Sequence, residues 1–252
     1  MASGVLDGLT AADIRREPFP HVHRVPCLPE ADYRALVAEL PRYEDVVARS
    51  PGGLAPVMHL AGHAITSALP ASSPVRAFVE HHQSAAFYRG VIELFGDDIR
   101  RLHPGIERVL GKDLAEASVS RRTGGGPADV LIDCQLGFNP PSPRPSRVRG
   151  VHIDKRRRLF SGLLYLRYDE DDTEGGDLAV YRFKPGETFS QDIGAGDDQV
   201  ELVATLPYRP NSLVFFVNSA QSLHAVMPRA PTRWPRRHLN FLAELNSDFI
   251  VT

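Results

Sequence analysis

The longest purely apolar run of the chain has five residues, Leu213 to Val217, and lies in Ser212-Leu213-Val214-Phe215-Phe216-Val217. Pro210-Asn211 stands directly before this segment. A short apolar run that is rich in aromatic and β-branched residues and follows a turn signal is typical of a buried strand. We therefore predict a strand over residues 212–217.

Five further segments of the C-terminal half have the same character, because they are short, apolar and separated by turn-rich connections. Closely spaced strands of this kind are typical of an antiparallel sandwich or barrel of the jelly-roll class. Alternation of strands with helices is absent, which argues against a nucleotide-binding, doubly wound sheet. The predicted strands are Val130–Leu136, Ser161–Leu166, Asp177–Phe183, Val200–Thr205 and Leu239–Leu245.

The first 115 residues have helical periodicity instead. Apolar residues at helical spacing predict a helix over residues 30–40, ended by Pro41, and a longer one over residues 75–95. We expect Gly96-Asp97-Asp98 to end the second helix, and a third helix to follow over residues 99–114 with a break at Pro104-Gly105.

These patterns predict an α+β fold in one integrated domain over residues 1–252. Residues 1–124 are expected to form a mainly helical support. Residues 125–252 are expected to form the core, a double-stranded β-helix (jelly roll).

Composition excludes several classes of protein. The chain has 29 Lys and Arg against 31 Asp and Glu, a net charge of −2, so it has no basic field for nucleic acid. Its apolar runs are far shorter than the roughly 18 residues of a membrane span, and the N-terminus lacks the pattern of a signal peptide. Two cysteines cannot build a disulfide framework or a cysteine-rich zinc site. We expect a cytoplasmic globular protein with neither nucleic acid nor membrane as partner.

The motifs of dinucleotide folds, P-loops, α/β-hydrolases and zincins are all absent from the sequence. The informative stretch is Gly150-Val151-His152-Ile153-Asp154. Residues i and i+2 of an extended segment point to the same side, so an imidazole and a carboxylate can converge there on one ion. The pair alone is weak, since chance gives about 0.7 such pairs in a chain of this composition.

His224 strengthens the interpretation, because it follows the buried strand in Ala220-Gln221-Ser222-Leu223-His224. A histidine in such a place is either hydrogen-bonded or binds something. Two histidines and one carboxylate form the facial triad, which leaves open positions on Fe(II). Mixed nitrogen and oxygen ligands without thiolate suit iron, manganese or zinc.

The C-terminal half resembles the iron(II)/2-oxoglutarate-dependent dioxygenases, in the branch similar to prolyl hydroxylases and phytanoyl-CoA hydroxylases. The resemblance covers about residues 125–245 and rests on the order of several signals rather than on any single one. These are His152-Ile153-Asp154, Leu163-Leu164-Tyr165-Leu166, Glu174-Gly175-Gly176-Asp177-Leu178, Pro210 to Phe216, and His224-Ala225-Val226-Met227-Pro228.

The resemblance implies that His152, Asp154 and His224 are the catalytic metal ligands, with Fe(II) as cofactor and 2-oxoglutarate and O₂ as cosubstrates. The acidic residue at Asp154 argues against a halogenase, since halogenases of this superfamily carry a small residue there.

The family also places a cation on a strand after the second histidine, to bind the distal carboxylate of 2-oxoglutarate. Arginine suits this role because its planar fork binds a carboxylate through two hydrogen bonds. The candidates are Arg233, Arg236 and Arg237. Pro235 favours a strand that begins after it, and the family's Arg-x-Ser pattern favours Arg236, whereas alternation places Arg237 on the same face as Leu239. We take Arg236 first, with Arg237 and Arg233 as alternatives.

Three other features remain open on sequence alone. Tyr165 matches a family position whose phenol helps hold the same carboxylate, and it is equally typical of a core tyrosine. Asn240 either faces the cavity or is a solvated strand residue. Lys155-Arg156-Arg157-Arg158 is typical of a solvated loop, and the alternative is a basic rim that attracts an anionic or carrier-bound substrate. No ligand role is assigned to the seven histidines of the helical half.

The predicted activity is hydroxylation of a small molecule, such as an amino acid or a natural-product intermediate. Desaturation, epoxidation or ring closure would use the same residues. The alternative is a cupin-like metal isomerase or a non-catalytic binding module on the same fold.

Overall fold

The computed structural model describes residues 4–48 and 58–252 of the chain. It has a mixed α+β structure in which all but one of the strand pairings are antiparallel. The strands in this part of the chain are β1 (His21–Arg24), β2 (Met58–Leu60), β3 (Val119–Arg121), β4 (Val130–Asn139), β5 (Arg158–Tyr165), β6 (Leu178–Phe183), β7 (Val200–Leu206), β8 (Ser212–Val217), β9 (His224–Val226) and β10 (Arg236–Leu245).

The strands form two sheets. The large sheet has the order β1-β8-β5-β10-β4-β2, and β3 pairs in parallel with the other end of β4. The small sheet has the order β7-β6-β9. The large sheet is assembled from both halves of the chain, whereas the small sheet comes from the second half alone.

All six predicted strands are present, and the segment 212–217 is β8 with the predicted bounds. The structure adds four strands that the sequence did not predict, namely β1, β2, β3 and β9. Each has only three or four residues, which is too short for an alternating pattern to be recognised. Three of them, β1, β2 and β3, come from residues 1–124, which were expected to be mainly helical, and β1 and β2 form the two edges of the large sheet.

The helices in the described residues are α1 (Glu30–Glu39), α2 (Tyr43–Ala48), α3 (Gly62–Ala68), α4 (Pro74–His82), α5 (Ala85–Leu102) and α6 (Ile106–Leu110), with short 3₁₀ helices at Ala11–Asp13 and Leu114–Glu116. The predicted helix over residues 30–40 is α1. In the part of the chain that the structure describes, no helix combines the length and apolar character needed to cross a bilayer.

The prediction for residues 75–95 was wrong in where the helix breaks. The break lies at Gln83 and Ser84, where the Ser84 hydroxyl accepts a hydrogen bond from the backbone N–H of Phe87 and so caps α5. Helix α5 then continues through Gly96-Asp97-Asp98 to Leu102. A helical glycine costs only about 1 kcal/mol, and burial of Phe95 and Ile99 on either side of this segment outweighs that cost.

The large sheet lies between the helices and the small sheet. One face packs against α4 and α5 in the main hydrophobic core, where Phe215 and Phe241 contact Phe87 at ring-centroid distances of 6.4 and 6.1 Å. The opposite face, which we call the inner face, packs against the small sheet through Tyr165 and Phe216. Because side chains alternate along a strand, consecutive residues of β5 and β10 face these two different environments.

Candidate metal and carboxylate site

The two histidines of the predicted triad are held side by side by their own backbones. His152 lies in the extended segment before β5, and His224 is the first residue of β9. Each donates its N–H to the carbonyl of the other, at 3.1 and 2.9 Å. Residues paired in this way project to the same side, and the two rings lie 4.5 Å apart. One ligand atom each from His152, Asp154 and His224 lies within 4.8 Å of the other two.

Backbone carbonyls fix the ring orientation of both histidines. Nδ1 of His152 lies 2.8 Å from the Gly150 carbonyl, and Nδ1 of His224 lies 2.8 Å from the Ser222 carbonyl. A carbonyl only accepts, so each Nδ1 carries the proton and donates it. Each Nε2 is then left with a free lone pair, which is the tautomer that a metal-binding histidine uses.

Asp154 is also held in place. The Ser161 hydroxyl donates to its Oδ2 at 2.5 Å, and Nη1 of Arg158 lies 3.3 Å from its Oδ1. Nη2 of Arg158 binds Glu244 at 3.0 Å. Through Ser161 on β5 and Glu244 on β10, the carboxylate is attached to the centre of the large sheet.

The protonation states suit metal binding. Burial, together with the neighbouring His224, lowers the pKa of His152 to about 3, so this imidazole is neutral at neutral pH. Burial acts to raise the pKa of Asp154, but Arg158, the two histidines and the hydrogen bond from Ser161 together outweigh it and hold that pKa below its ordinary value. A neutral imidazole and an ionised carboxylate are the forms that bind a metal ion.

The donor set therefore fits Fe(II). Two imidazole nitrogens and one carboxylate oxygen converge from one side, which is the arrangement of the facial triad. Both cysteines are buried members of the main hydrophobic core, and neither belongs to this group.

A second polar group on the inner face consists of Arg236 and Tyr165. Arg236 is only 2 % exposed, and its Nε donates to the Gly176 carbonyl at 2.7 Å and its Nη1 to Oδ1 of Asn139 at 3.2 Å. The guanidinium lies 4.8 Å from the ring centre of Tyr165 and 4.9 Å from that of Tyr208. This packing fixes the guanidinium in one orientation.

Two donors of this group have no partner. Nη2 of Arg236 and the hydroxyl of Tyr165 are buried and make no hydrogen bond with the described residues. Burial raises the pKa of Tyr165, so the phenol keeps its proton and remains a donor. Buried polar groups are nearly always paired, and two donors that include a cation are matched by a carboxylate.

The three candidate arginines lie in different places. Strand β10 begins at Arg236, directly after Pro235 as expected. Arg237 faces the other side of the sheet, with its guanidinium 3.7 Å from the ring centre of Tyr168. Arg233 precedes the strand and lies over the ring of Trp234. Of the three, only Arg236 shares the inner face with Tyr165.

The sequence interpretation missed His59. It lies on β2, opposite Gly137 of β4, which in turn lies opposite His238 of β10. The rings of His59 and His238 are 6.2 Å apart, and burial, with the charges of Arg158 and Arg122, lowers the pKa of His59. No ligand role was assigned to His59, and its place in the large sheet was not predicted, because a three-residue strand leaves no periodic signal.

His238 and Asn240 face the same side as Arg236. His238 is buried and its Nδ1 has no partner among the described residues, and burial lowers its pKa well below the ordinary value. The sequence left open whether Asn240 faces the cavity or the solvent. In the structure its exposed fraction is 8 %. Both residues lie on the strand between Arg236 and the level of Asp154.

The basic run after Asp154 is largely paired. Arg156 binds Asp192 at 2.7 Å, while Arg157 and Arg158 both approach Glu244, at 3.6 and 3.0 Å. Three of the four basic side chains are therefore ion-paired, and they share the two carboxylates of Asp192 and Glu244.

Comparison with known proteins agrees with this geometry. Residues 146–241 match the family model described as the 2OG-Fe(II) oxygenase superfamily, and this segment contains all three triad residues and Arg236. No curated protein sequence matches the chain. The match to the family model confirms the family resemblance inferred from the sequence. Residues 146–241 are the part of the chain that matches the 2OG-Fe(II) oxygenase superfamily. Fe(II), 2-oxoglutarate and O₂ are the cofactor and cosubstrates that this family implies.

Several solved structures share the fold at low sequence identity. The non-heme alpha ketoglutarate dependent carbocyclase SnoK from nogalamycin biosynthesis is 15 % identical, with a TM-score of 0.50 over 97 % of this chain and 87 % of that one. The epimerase SnoN from the same biosynthesis is 11 % identical, with a TM-score of 0.50 over 93 % and 79 %. A Pseudomonas putida prolyl-4-hydroxylase is 14 % identical, with a TM-score of 0.43 over 95 % and 100 %.

Proposed function

We propose that this protein is an Fe(II)- and 2-oxoglutarate-dependent oxygenase that hydroxylates a small molecule, such as an amino acid or a natural-product intermediate. Residues 1–252 would form one domain, with the two sheets as a double-stranded β-helix and the helices as its support. The observation that carries the proposal is the presence, on the side where the two sheets face each other, of both a facial triad and an arginine–tyrosine pair without a partner.

In this proposal His152, Asp154 and His224 hold the iron. When bound together with 2-oxoglutarate and O₂, the iron supplies an oxidant for an unactivated C–H bond. The chain supplies the ligand orientation, through the Gly150 and Ser222 carbonyls that hold the two rings.

Arg236 and Tyr165 would bind the distal carboxylate of 2-oxoglutarate. Ser161, which contacts Asp154, and Tyr165 lie four residues apart on β5 and therefore project from the same face. At about 3.3 Å per residue the two positions are about 13 Å apart along the strand. A short dicarboxylate that binds the triad at one end can therefore extend along β5 toward the arginine at the other.

The matched superfamily and this donor pair both favour an oxygenase over a cupin-like isomerase or a silent binding module. Neither of those alternatives needs a buried arginine with a free terminal nitrogen beside the metal triad. His238 and Asn240 lie on the same face of β10 as Arg236 and add neutral polar groups to it.

The proposal is tested by anaerobic visible absorption of the purified protein with Fe(II), before and after 2-oxoglutarate is added. A charge-transfer band that needs both components, and that is absent in Asp154→Ala, is the expected result. Asp192→Ala is the matched control, because Asp192 is an exposed carboxylate that pairs with Arg156 outside the triad. Normal iron binding without a band would support the isomerase or binding-module reading, and absence of iron binding would overturn the triad.

A further inference from the structure

A groove on the outer side of the molecule has no role in the proposed reaction. It has a volume of about 740 Å³, within the range of small-molecule sites. Its walls come from α1, the start of α2, the segment after β5 and the start of β10. Arg237 forms part of its lining, and because side chains alternate along β10, the groove and Arg236 lie on opposite faces of the large sheet.

The groove has an excess of cationic side chains without partners. Five arginines and three acidic residues line it. Arg34 pairs with Asp169, and Arg167 pairs with Asp171 behind the groove. The other three arginines make no ion pair with any residue that the structure describes, and these are Arg42, Arg233 and Arg237.

Arg237 is the strongest indication of a ligand. Its side chain is only 6 % exposed, its Nε donates to the Leu166 carbonyl, and its guanidinium stacks on Tyr168. The two terminal nitrogens make no hydrogen bond within residues 4–48 and 58–252. These nitrogens open onto the groove, and a guanidinium held rigidly with its outer edge free is arranged to bind a carboxylate or phosphate through two hydrogen bonds.

We propose that this groove is a second binding site, which takes a small organic anion. The anionic group, a carboxylate or a phosphate, binds Arg237 at the floor and Arg233 at the rim. The carbon skeleton of the ligand lies against the apolar side of the groove at Val37 and Tyr33 of α1.

Trp234 gives a direct readout, because it lines the groove and is the only tryptophan of the chain. The protein is titrated with benzoate and with phenyl phosphate at constant ionic strength while tryptophan fluorescence is recorded. These two probes share a phenyl ring and differ in the anionic group. The probe that binds with the higher affinity therefore identifies the anionic group that the site prefers. Benzamide, which has the same ring without a charge, is the neutral control.

The expected result is a saturable change with at least one anion and none with benzamide. Arg237→Gln is expected to weaken binding by about tenfold or more, the usual effect of losing a charge-assisted hydrogen bond. Arg233→Gln, a change at the groove rim outside the sheet, is expected to weaken it less. Arg89→Gln on the exposed side of α5 is the matched control and should leave binding unchanged.

Arg236→Gln separates this site from the carboxylate site of the proposed oxygenase. Binding that persists in Arg236→Gln and is lost in Arg237→Gln belongs to the groove, whatever the reaction proves to be. Absence of a saturable signal with both anions, equal binding of benzamide, or unchanged affinity in both Arg237→Gln and Arg233→Gln would overturn the proposal.

Discussion

At the scale of single residues, Arg236 carries a sharp prediction. Replacement by Gln removes the fork that faces Tyr165, and we expect the affinity of the iron-loaded protein for 2-oxoglutarate to fall by about tenfold or more. Arg236→Lys keeps the charge but not the planar fork. Its affinity for 2-oxoglutarate should therefore lie between that of the unmodified protein and that of Arg236→Gln. Equilibrium titration of 2-oxoglutarate under anaerobic conditions measures both changes.

The control for this prediction is iron binding itself. Arg236 makes no contact with the triad, so the affinity for Fe(II) in the absence of 2-oxoglutarate should be unchanged in both variants. If Arg236→Gln binds 2-oxoglutarate as the unmodified protein does, the carboxylate is held elsewhere. Loss of iron binding together with 2-oxoglutarate binding would indicate a folding defect, since Arg236 also supports Gly176 and Asn139.

The sequence was sufficient to group His152, Asp154 and His224 as a candidate metal site, for a physical reason. An i, i+2 pair converges whenever its segment is extended, so His152 and Asp154 required only one local assumption. The choice between Arg236 and Arg237 required knowledge of which face of β10 lies inward, and that depends on packing of the whole sheet. The position of His59 could not be predicted, because its contact with His238 depends on two strand pairings. These are the pairing of β2 with β4 and that of β4 with β10.

At the scale of elements, the turn before β6 positions Arg236. Gly175 and Gly176 both have positive φ, 80° and 85°, and the Gly176 carbonyl accepts the hydrogen bond from Nε of Arg236. A Cβ on Gly175 would lie 2.0 Å from the carbonyl oxygen of Pro228, which is backbone and cannot move aside easily. This glycine is therefore required both by its conformation and by the close approach of a neighbouring chain segment.

We therefore predict that Gly175→Ala destabilises the protein and also weakens 2-oxoglutarate binding. Gly186→Ala is the matched control, because Gly186 has a φ of 83° but open space around its Cβ position. The control should cost only the strain of a left-handed alanine, about 1 kcal/mol, and Gly175→Ala should cost clearly more. Urea unfolding measures the difference. Equal losses of stability in the two variants would show that the contact with Pro228 is not limiting.

Prediction of elements from sequence succeeded where the hydrophobic pattern was long. The six longer strands and α1 follow from periodicity alone. The errors concern boundaries that tertiary contacts decide. Gly96 does not end α5, because Asp98 is buried and bound by Arg16 and Arg101 at 3.1 and 2.9 Å, and those contacts hold the helix together beyond the glycine.

At the scale of the whole molecule, the large sheet separates two chemically different regions. Arg236 lies on its inner face, against which the triad packs through Ser161 and Phe216, and its outer face is covered by the helices and carries Arg237. Consecutive residues at the start of β10 face the two proposed sites, which explains why sequence spacing alone could not choose between them. The same alternation allows each site to be tested by a variant that leaves the other site intact.

The helical layer, the N-terminal segment and the large sheet meet at His82, and this junction predicts how stability depends on pH. Nδ1 of His82 donates to the Phe78 carbonyl at 2.7 Å, Nε2 accepts from the N–H of Val5 at 3.1 Å, and the ring lies 4.8 Å from that of Phe241. Burial lowers the pKa of His82 to about 3, whereas an unfolded histidine has a pKa of about 6.5. Between these values the unfolded chain binds more protons, so the free energy of unfolding falls as the pH is lowered.

We expect His82 alone to contribute a loss of up to about 1.4 kcal/mol per pH unit below pH 6.5. His82→Gln keeps a donor and an acceptor but does not titrate. It should therefore be less stable than the unmodified protein at pH 7, by about 1–3 kcal/mol, yet lose less stability on acidification. Urea unfolding at pH 7, 6 and 5 compares the two slopes.

The other buried histidines with lowered pKa, among them His21 and His103, remain in the variant and leave it a residual slope. Identical slopes in the two proteins would mean that His82 binds a proton equally well in the folded and the unfolded chain, which contradicts a lowered pKa in the folded protein.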